Sequence, residues 1–124
     1  MRFGAIAALA LSALAVSATA QTVVKTEDGQ GAIIKALDTI TGEVTQFEIA
    51  VGSTIRYEHL KITVNECRYP EGNPGVEAFA RLYIQDERKD TPAFEGWMIA
   101  SSPALSAMEH PRYDVWVIRC TTAS

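Results

Sequence analysis

Short runs of alternating apolar and polar residues fill most of the chain and are separated by turn-forming residues. Phe47, Ile49 and Val51 alternate with polar or small neighbours, and the same spacing returns in 60–64. A period of two is typical of β-strands with one buried face. The pattern predicts six or seven short strands. The candidate runs are 32–37, 44–51, 54–57, 60–64, 78–84, 94–100 and 113–120.

The alternation breaks before Cys67. Counting by twos from Leu60 reaches Glu66, so an unbroken strand would turn the cysteine away from the apolar face. A β-bulge inserts one extra residue and restores the inward direction. We expect such a bulge at Asn65 and Glu66, with Cys67 pointing inward.

One segment favours a helix. Ser102 is a suitable N-cap, and Pro103 stands in the first turn, where its missing N–H costs nothing. Pro111 disfavours helical geometry at the preceding residue, which limits the helix to about two turns.

The last apolar run, 113–120, is nearly continuous, which favours a central strand covered on both faces. Together these elements predict a mainly β fold. We expect a small antiparallel β-sandwich or barrel of six to seven strands, with one short helix and one disulfide. A single domain over 32–124 would follow a flexible N-terminal arm at 21–31.

Residues 1–20 have the pattern of a secretory signal peptide. Arg2 gives a basic start, 3–16 is uncharged and apolar, and a small Ala-Thr-Ala triplet ends at Ala20. The apolar run is shorter than the roughly 20 residues that span a bilayer. We therefore expect export and cleavage after Ala20. The leader has no cysteine, so we expect no lipid anchor and no membrane span.

The charge balance limits the classes of partner. Without Arg2, ten basic residues remain against fifteen acidic ones, so the exported chain is acidic. Nucleic acids and anionic membrane surfaces bind basic patches, and neither is expected as a partner. No cofactor motif is present, so no cofactor is expected.

The chain has two cysteines, Cys67 and Cys120. Outside the reducing cytosol, such a pair favours one disulfide over two free buried thiols. A metal site built on the pair is disfavoured, because no second Cys or His stands two to four residues from either one.

A polar cluster is the first candidate for chemistry: Ser101, Ser102, Ser106, Glu109, His110 and Asp114. A hydroxyl, a base and a carboxylate are the parts of acyl-transfer catalysis, so an envelope hydrolase that uses His110 with Ser101 or Ser102 is one alternative. The run lacks the glycine-flanked nucleophile turn of common hydrolases. A helix cap at Ser102 and a helix exit at Glu109 and His110 explain the pattern more simply.

The two histidines suggest a second alternative, a metal or small-ligand carrier. Glu58-His59 and Glu109-His110 could meet in space and supply imidazole and carboxylate ligands. Adjacent residues on a strand point to opposite faces, so each pair offers one ligand. We predict no metal site, and a polar hairpin tip at Glu58 and His59.

Aromatic residues suggest a binding surface. Phe79 and Tyr83 lie on the strand face opposite small alanines, with Arg81 between them. Exposed rings offer contact area at low entropic cost, and the guanidinium suits a carboxylate-bearing partner. Trp97 and Trp116 stand in apolar runs and are expected to fill the core.

The second half of the chain also carries a family resemblance. The residues that carry it are Gly96 to Pro111, Tyr113 to Val117 and Cys120, with Val51-Gly52 and Ile62-Thr63-Val64 in the first half. In these residues the chain resembles DUF2155, an uncharacterised family of small exported bacterial proteins. The resemblance implies a periplasmic location and a pairing of Cys67 with Cys120. It implies no activity. Small size, acidic charge, a single disulfide and the lack of a cofactor motif favour a non-catalytic binding or adaptor module for a protein or another component of the cell envelope.

Overall fold

The structure is a computed structural model that describes residues 25–123. Eight strands and one 3₁₀ helix, Pro103–Ser106, make up its regular elements. The strands are β1 (Thr26–Asp28), β2 (Gly31–Asp38), β3 (Val44–Ala50), β4 (Thr54–Tyr57), β5 (Leu60–Pro70), β6 (Phe79–Asp86), β7 (Phe94–Ile99) and β8 (Tyr113–Thr121). Within the described residues, no helix is long and apolar enough to cross a membrane. The predicted leader, 1–20, lies outside them.

The strands form two antiparallel sheets. One has the order β1-β5-β6-β7, with β4 pairing the same edge of β5 as β1, and the other has the order β3-β2-β8. The inward side chains of both sheets form one apolar core. The largest fully buried apolar side chains are Tyr113, Ile34, Ile49, Leu60, Ile62, Leu82 and Ile84. The predicted mainly β class is confirmed: the fold is an open sandwich rather than a closed barrel. Eight strands are present rather than six or seven because β1 adds a short pairing with β5 that was not predicted.

The predicted bulge is confirmed. The register between β5 and β6 shifts between Val64 and Glu66, and Cys67 beyond the shift is completely buried. Cys67 forms a disulfide with Cys120 of β8, with 5.7 Å between their Cα atoms. The predicted pairing is therefore confirmed, and it joins the five-stranded sheet to the three-stranded sheet.

The chain crosses between the sheets directly over this disulfide. The Gly29 amide donates to the Cys67 carbonyl at 2.7 Å, and the Gln30 amide donates to the Thr121 carbonyl at 2.8 Å. A Cβ atom at Gly29 would lie 2.8 Å from the Cβ of Cys120, so only glycine fits without a shift. From Thr26 onward, the residues of the predicted arm are thus paired with the two sheets.

An ion pair and aromatic ring contacts stabilise the opposite end of the sandwich. Arg112 donates two hydrogen bonds to Asp38, at 3.2 and 2.9 Å, and its guanidinium lies 5.2 Å from the centre of the Tyr113 ring. Phe47, Tyr57 and Tyr113 stack edge to face in the core, with ring centres 5.5 and 5.4 Å apart. The seven residue-to-residue steps along β8 from Tyr113 to Cys120 separate the two ends by about 23 Å at roughly 3.3 Å per residue.

Two predictions about the C-terminal segment were wrong. β8 is an edge strand of its sheet, and β2 is the central one. On the other face of β8, Trp116 lines a pocket together with Pro103 and Met108. The predicted short helix is present as a single 3₁₀ turn, but its predicted cap is absent, because the Ser102 side chain makes no capping hydrogen bond.

Candidate functional site

The outer face of the five-stranded sheet presents the residues predicted as a binding surface. Along β6, Ala80, Leu82 and Ile84 are fully buried, so Phe79, Arg81 and Tyr83 point outward. Phe79 and Tyr83 are half-buried and Arg81 is exposed.

Trp97 belongs to the same surface. It lies directly opposite Arg81 in the register between β6 and β7, which puts both side chains on the outer face. Trp97 is 40% exposed, whereas the next residue, Met98, is buried. The prediction that both tryptophans fill the core was wrong: Trp97 lies on this face, and Trp116 is half-buried on the outer side of β8. We call Phe79, Arg81, Tyr83 and Trp97 the outer patch.

The electrostatics of the outer patch centre on Arg81. Its Nε lies 3.6 Å from a carboxylate oxygen of Glu66, and 48% of its side chain is exposed. Glu66 makes a shorter contact, 3.1 Å, with Arg68, which also binds Asp28 at 3.0 Å. Because Arg68 holds Glu66 more closely, Arg81 keeps much of its guanidinium available to an external carboxylate.

A polar groove continues the outer patch towards the other end of the sheet. It has a volume of about 530 Å³, and Tyr83 is part of both surfaces. Arg56 and Lys61 line it and both contact Glu87, at 2.7 and 3.9 Å. The other lining residues are Thr54, Ile55, Thr63 and Gln85. The Thr54 and Thr63 hydroxyls bond to each other, and the Gln85 amide donates to the Lys89 carbonyl at 2.7 Å. The groove thus offers mainly the exposed cationic groups of Arg56 and Lys61 beside the aromatic residues.

The predicted polar cluster is not assembled as a catalytic unit. The Ser101 hydroxyl hydrogen-bonds the Glu77 carboxylate, which also accepts from the Ser101 and Ala78 amides at 2.9 and 3.1 Å. Burial raises the pKa of Glu77, but these hydrogen bonds outweigh that effect and the net pKa is lowered. Ser101 therefore serves to fix the loop after β7 against Glu77.

His110 has a different set of partners. Its Nδ1 accepts the backbone amides of Arg112 and Tyr113 at 3.0 and 3.1 Å, so the ring proton is on Nε2. Nε2 donates to Asp86 at 2.9 Å, and only 2% of the His110 side chain is exposed. Both ring nitrogens are thus occupied within the protein, which leaves neither available as a base or a metal ligand.

Three other residues of the cluster are dispersed, and the Ser106 side chain lies outside the described part of the structure. Ser102 is half-buried, and Glu109 and Asp114 are exposed. Asp114 lines an apolar pocket of about 410 Å³ with Trp116, on the opposite side of the sandwich from the outer patch. His59 is exposed at the β4–β5 turn, where Glu58 has a φ of 52°. Among residues 25–123, no group of three or more His, Cys, Asp or Glu is placed to hold a metal ion.

Asp86 is the polar residue that sequence reasoning missed. Asp86 begins a charged run, 86–90, whose composition is typical of a solvated turn, yet Asp86 is completely buried. Arg88 donates to both carboxylate oxygens, and hydrogen bonds from Arg88 and then His110 hold the pKa of Asp86 far below its usual range. Asp86 follows Leu82 and Ile84 at the same two-residue spacing, so the alternation along β6 could have predicted that Asp86 is buried.

Comparison with known proteins places this chain in a family. A family model described as an uncharacterised protein conserved in bacteria, DUF2155, matches residues 32–120. The chain belongs to the DUF2155 family. The matched span runs from the start of β2 to Cys120 and therefore contains both cysteines, the outer patch and the buried Asp86.

One curated relative of this DUF2155 chain is the uncharacterised protein RP359 of Rickettsia prowazekii (strain Madrid E). The two are 30% identical over 92 residues, which cover 70% of this chain and 58% of the relative. The chain thus spans less than two thirds of that relative's length. No solved structure matches the chain.

Proposed function

We propose that this DUF2155 chain is a non-catalytic binding module of the cell envelope, and that it acts through the outer patch. Its partner would present a carboxylate to Arg81 and an apolar group to Trp97. The observation that carries the proposal is the exposure of Trp97 directly beside Arg81 on the outer sheet face.

The composition of the outer patch supports an interface. Trp, Tyr and Arg are the residues that contribute most often to binding energy at protein interfaces. Tryptophan is costly to leave in water, because its large ring is mostly apolar. Within the described part of the chain, no element covers Trp97 or Arg81, so both remain accessible to a partner.

The envelope location rests on two features of the chain. The pattern of residues 1–20 is that of a cleaved leader, and the disulfide between Cys67 and Cys120 suits an oxidising compartment. Both features support a periplasmic site of action. The intact mass of protein released by osmotic shock tests it: the mass should correspond to a chain that starts at Gln21 with its disulfide formed.

The hydrolase and the carrier alternatives receive less weight. The hydrolase needs a serine hydroxyl within hydrogen-bond reach of His110, whereas Ser101 bonds to Glu77. The carrier needs a free imidazole nitrogen, whereas His110 uses both of its nitrogens within the fold. A binding module requires no such group.

Site-specific photo-crosslinking tests the proposed function. A photoreactive phenylalanine analogue replaces Tyr83 in the bacterium that encodes the protein, and adducts are resolved by mass. We expect one dominant adduct that Arg81→Glu or Trp97→Ala weakens at least tenfold. Arg119→Glu is the matched control, because Arg119 is an exposed arginine on the other sheet. An adduct that survives both outer-patch substitutions would refute the proposal.

A further inference from the structure

The groove beside the outer patch contains two cations that share one acid. Arg56 on β4 lies opposite Lys61 on β5, and both side chains line the groove on the outer sheet face. Among residues 25–123, the one carboxylate within 4 Å of either cation is that of Glu87. One of the two positive charges therefore has no counterion in this part of the chain. We call Arg56 and Lys61 the second cationic site.

Lys61 is the cation whose charge is available. Its Nζ lies 3.9 Å from Glu87, which is beyond hydrogen-bond distance, whereas Arg56 donates to the same carboxylate at 2.7 Å. The Arg56 and Lys61 side chains are 65% and 58% exposed. An external carboxylate can therefore bind Lys61 without displacing Glu87 from Arg56.

The pairing of the strands sets the distance between this site and Arg81. Lys61 lies opposite Gln85 on β6, and Gln85 is four residues from Arg81 along the same strand. Four residues at roughly 3.3 Å each and one strand spacing of about 4.8 Å place the Cα atoms of Arg81 and Lys61 about 14 Å apart. An extended polypeptide covers this distance in about four residues. Two acidic residues about four positions apart in such a segment therefore match the two cationic sites.

The neighbouring acids leave one route across the sheet. Glu95 is exposed on β7 opposite Tyr83, so an acidic segment is repelled on that side. Glu66, opposite Arg81 on β5, is already bound by two arginines at 3.1 and 3.6 Å. On the β5 side of Tyr83 stands the neutral Thr63. The uncharged route from Arg81 thus crosses Tyr83 towards the second cationic site.

We propose that the outer patch and the groove together bind one extended acidic segment of a partner protein. The inference rests on the proposed function and adds the class of partner and its second point of contact. One carboxylate of the segment binds Arg81, and an apolar residue beside it covers Trp97. A second carboxylate about four residues along the segment binds Lys61 and Arg56.

The order of chemical groups along the route favours a polypeptide over a polysaccharide. The sheet presents an apolar ring at Trp97, a cation at Arg81, the half-buried Tyr83 and then the second cationic site. A polysaccharide of short repeats carries the same group at every repeat. A polypeptide can place an apolar side chain next to one carboxylate and a second carboxylate further along, which is the arrangement that this face matches.

The overall acidity of the chain is compatible with an acidic partner. At physiological ionic strength, exposed charges more than about 8 Å apart are largely screened from each other. The segment therefore responds mainly to the cations that it contacts.

Photo-crosslinking from two positions tests whether one segment covers both sites. The photoreactive phenylalanine analogue replaces Tyr83 in one strain and Thr54 in another, because Thr54 is exposed and lines the groove. We expect adducts with the same partner from both strains. Proteolysis and mass spectrometry should place the two crosslinked residues within about six positions of each other, in a segment with acidic residues about four positions apart.

Substitution of Lys61 separates this inference from the proposed function. Lys61→Glu should weaken the Tyr83 adduct at least fivefold, and Lys61→Met, which removes the charge and keeps an apolar stem, should also weaken it. Lys25→Glu is the matched control, because Lys25 is an exposed lysine just before β1 on the same sheet. The native disulfide of each variant is confirmed by mass.

The outcomes distinguish the two proposals. If Arg81→Glu removes the adduct and Lys61→Glu does not, the binding function stands and the second contact is refuted. An adduct with a polysaccharide, or with a segment that lacks the two acids, also refutes the inference. The absence of any adduct at Tyr83 refutes the inference and the proposed function together.

Synthetic peptides test the spacing directly. The probes are Phe-Glu-Ser-Gly-Ser-Glu and a control of the same composition with adjacent acids, Phe-Glu-Glu-Ser-Gly-Ser, both acetylated and amidated. Titrations are followed by NMR of the isotope-labelled protein. We expect the first peptide to bind at least threefold more tightly, to shift the signals of both Trp97 and Lys61, and to lose its advantage in Lys61→Met. Equal affinities, or no binding of either peptide at about 1 mM, would overturn the inference.

Discussion

The buried carboxylate of Asp86 offers the sharpest test of the fold. Asp86 is completely buried at the end of β6 and accepts four hydrogen bonds. One oxygen accepts from the backbone amide and Nε of Arg88, at 2.9 and 3.1 Å. The other accepts from a terminal guanidinium nitrogen of Arg88 at 3.0 Å and from His110 at 2.9 Å. Asp86→Asn keeps the shape and replaces one acceptor oxygen with a donor.

The cost of this substitution follows from its two partners. Arg88 is 51% exposed at its side chain, so it regains water when its ion pair is lost, and that part of the cost is small. His110 cannot regain water in this way, because only 2% of its side chain is exposed. One buried donor left unsatisfied costs about 1–3 kcal/mol, and the lost bond to a charged acceptor costs about as much. We expect the free energy of unfolding to fall by about 3 kcal/mol.

Urea unfolding monitored by tryptophan fluorescence measures this change. A loss of about 3 kcal/mol corresponds to a melting temperature roughly 12–24 °C lower for a domain of this size. Asp90→Asn is the matched control, because Asp90 is an exposed acid on the same hairpin and its loss should change stability by less than about 0.5 kcal/mol. If Asp86→Asn also costs less than about 1 kcal/mol, the buried network does not stabilise the sandwich as argued.

Three further perturbations have defined outcomes. Replacing Cys67 and Cys120 by serine should cost about 4 kcal/mol in urea unfolding, from the chain entropy of cysteines 53 residues apart. Hydrogen bonds lower the pKa of Asp38 and Asp86, so the unfolded chain binds more protons than the folded one in acid. The stabilisation is complete above about pH 5 and should decline as the pH falls towards 2, as thermal melts would record. Gly29→Ala should cost about 1–3 kcal/mol, because its Cβ would meet Cys120 at 2.8 Å.

The glycine substitution and the acid dependence each have a control. Gly75→Ala should be neutral, since nothing lies within 4 Å of a Cβ at that position. Equal effects at Gly29 and Gly75 would contradict the close crossing over the disulfide. A variant with asparagine at both Asp38 and Asp86 should show a flatter decline of stability in acid than the wild type. An unchanged decline would assign the acid sensitivity to other carboxylates.

Local patterns in the sequence were sufficient for most of the fold. Period-two alternation placed the main strands, because a strand with one buried face must present apolar groups at every second residue. The break in this alternation before Cys67 located the bulge, and the presence of only two cysteines left a single intramolecular pairing. These features depend on neighbours along the chain, and so they can be inferred without coordinates.

The candidate site was predictable only in part. Phe79, Arg81 and Tyr83 were grouped correctly, because they share one face of a single strand. Trp97 was not included in this group, because apolar residues occur on both faces of β7. The local pattern does not indicate which of these faces packs against the core. The partner of His110 was not predicted, because nearness in sequence does not predict contact in space: His110 bonds to Asp86, 24 residues away.

By itself, the sequence determined the mainly β class, the bulge and the pairing of Cys67 with Cys120. Only the tertiary structure decided which strands are edges, which face exposes Trp97, and which groups neutralise the buried Asp86. The reason is physical. Alternation and turn chemistry act between residues close in the chain, whereas the neighbours of a strand and the partners of a buried charge are set by how the two sheets pack.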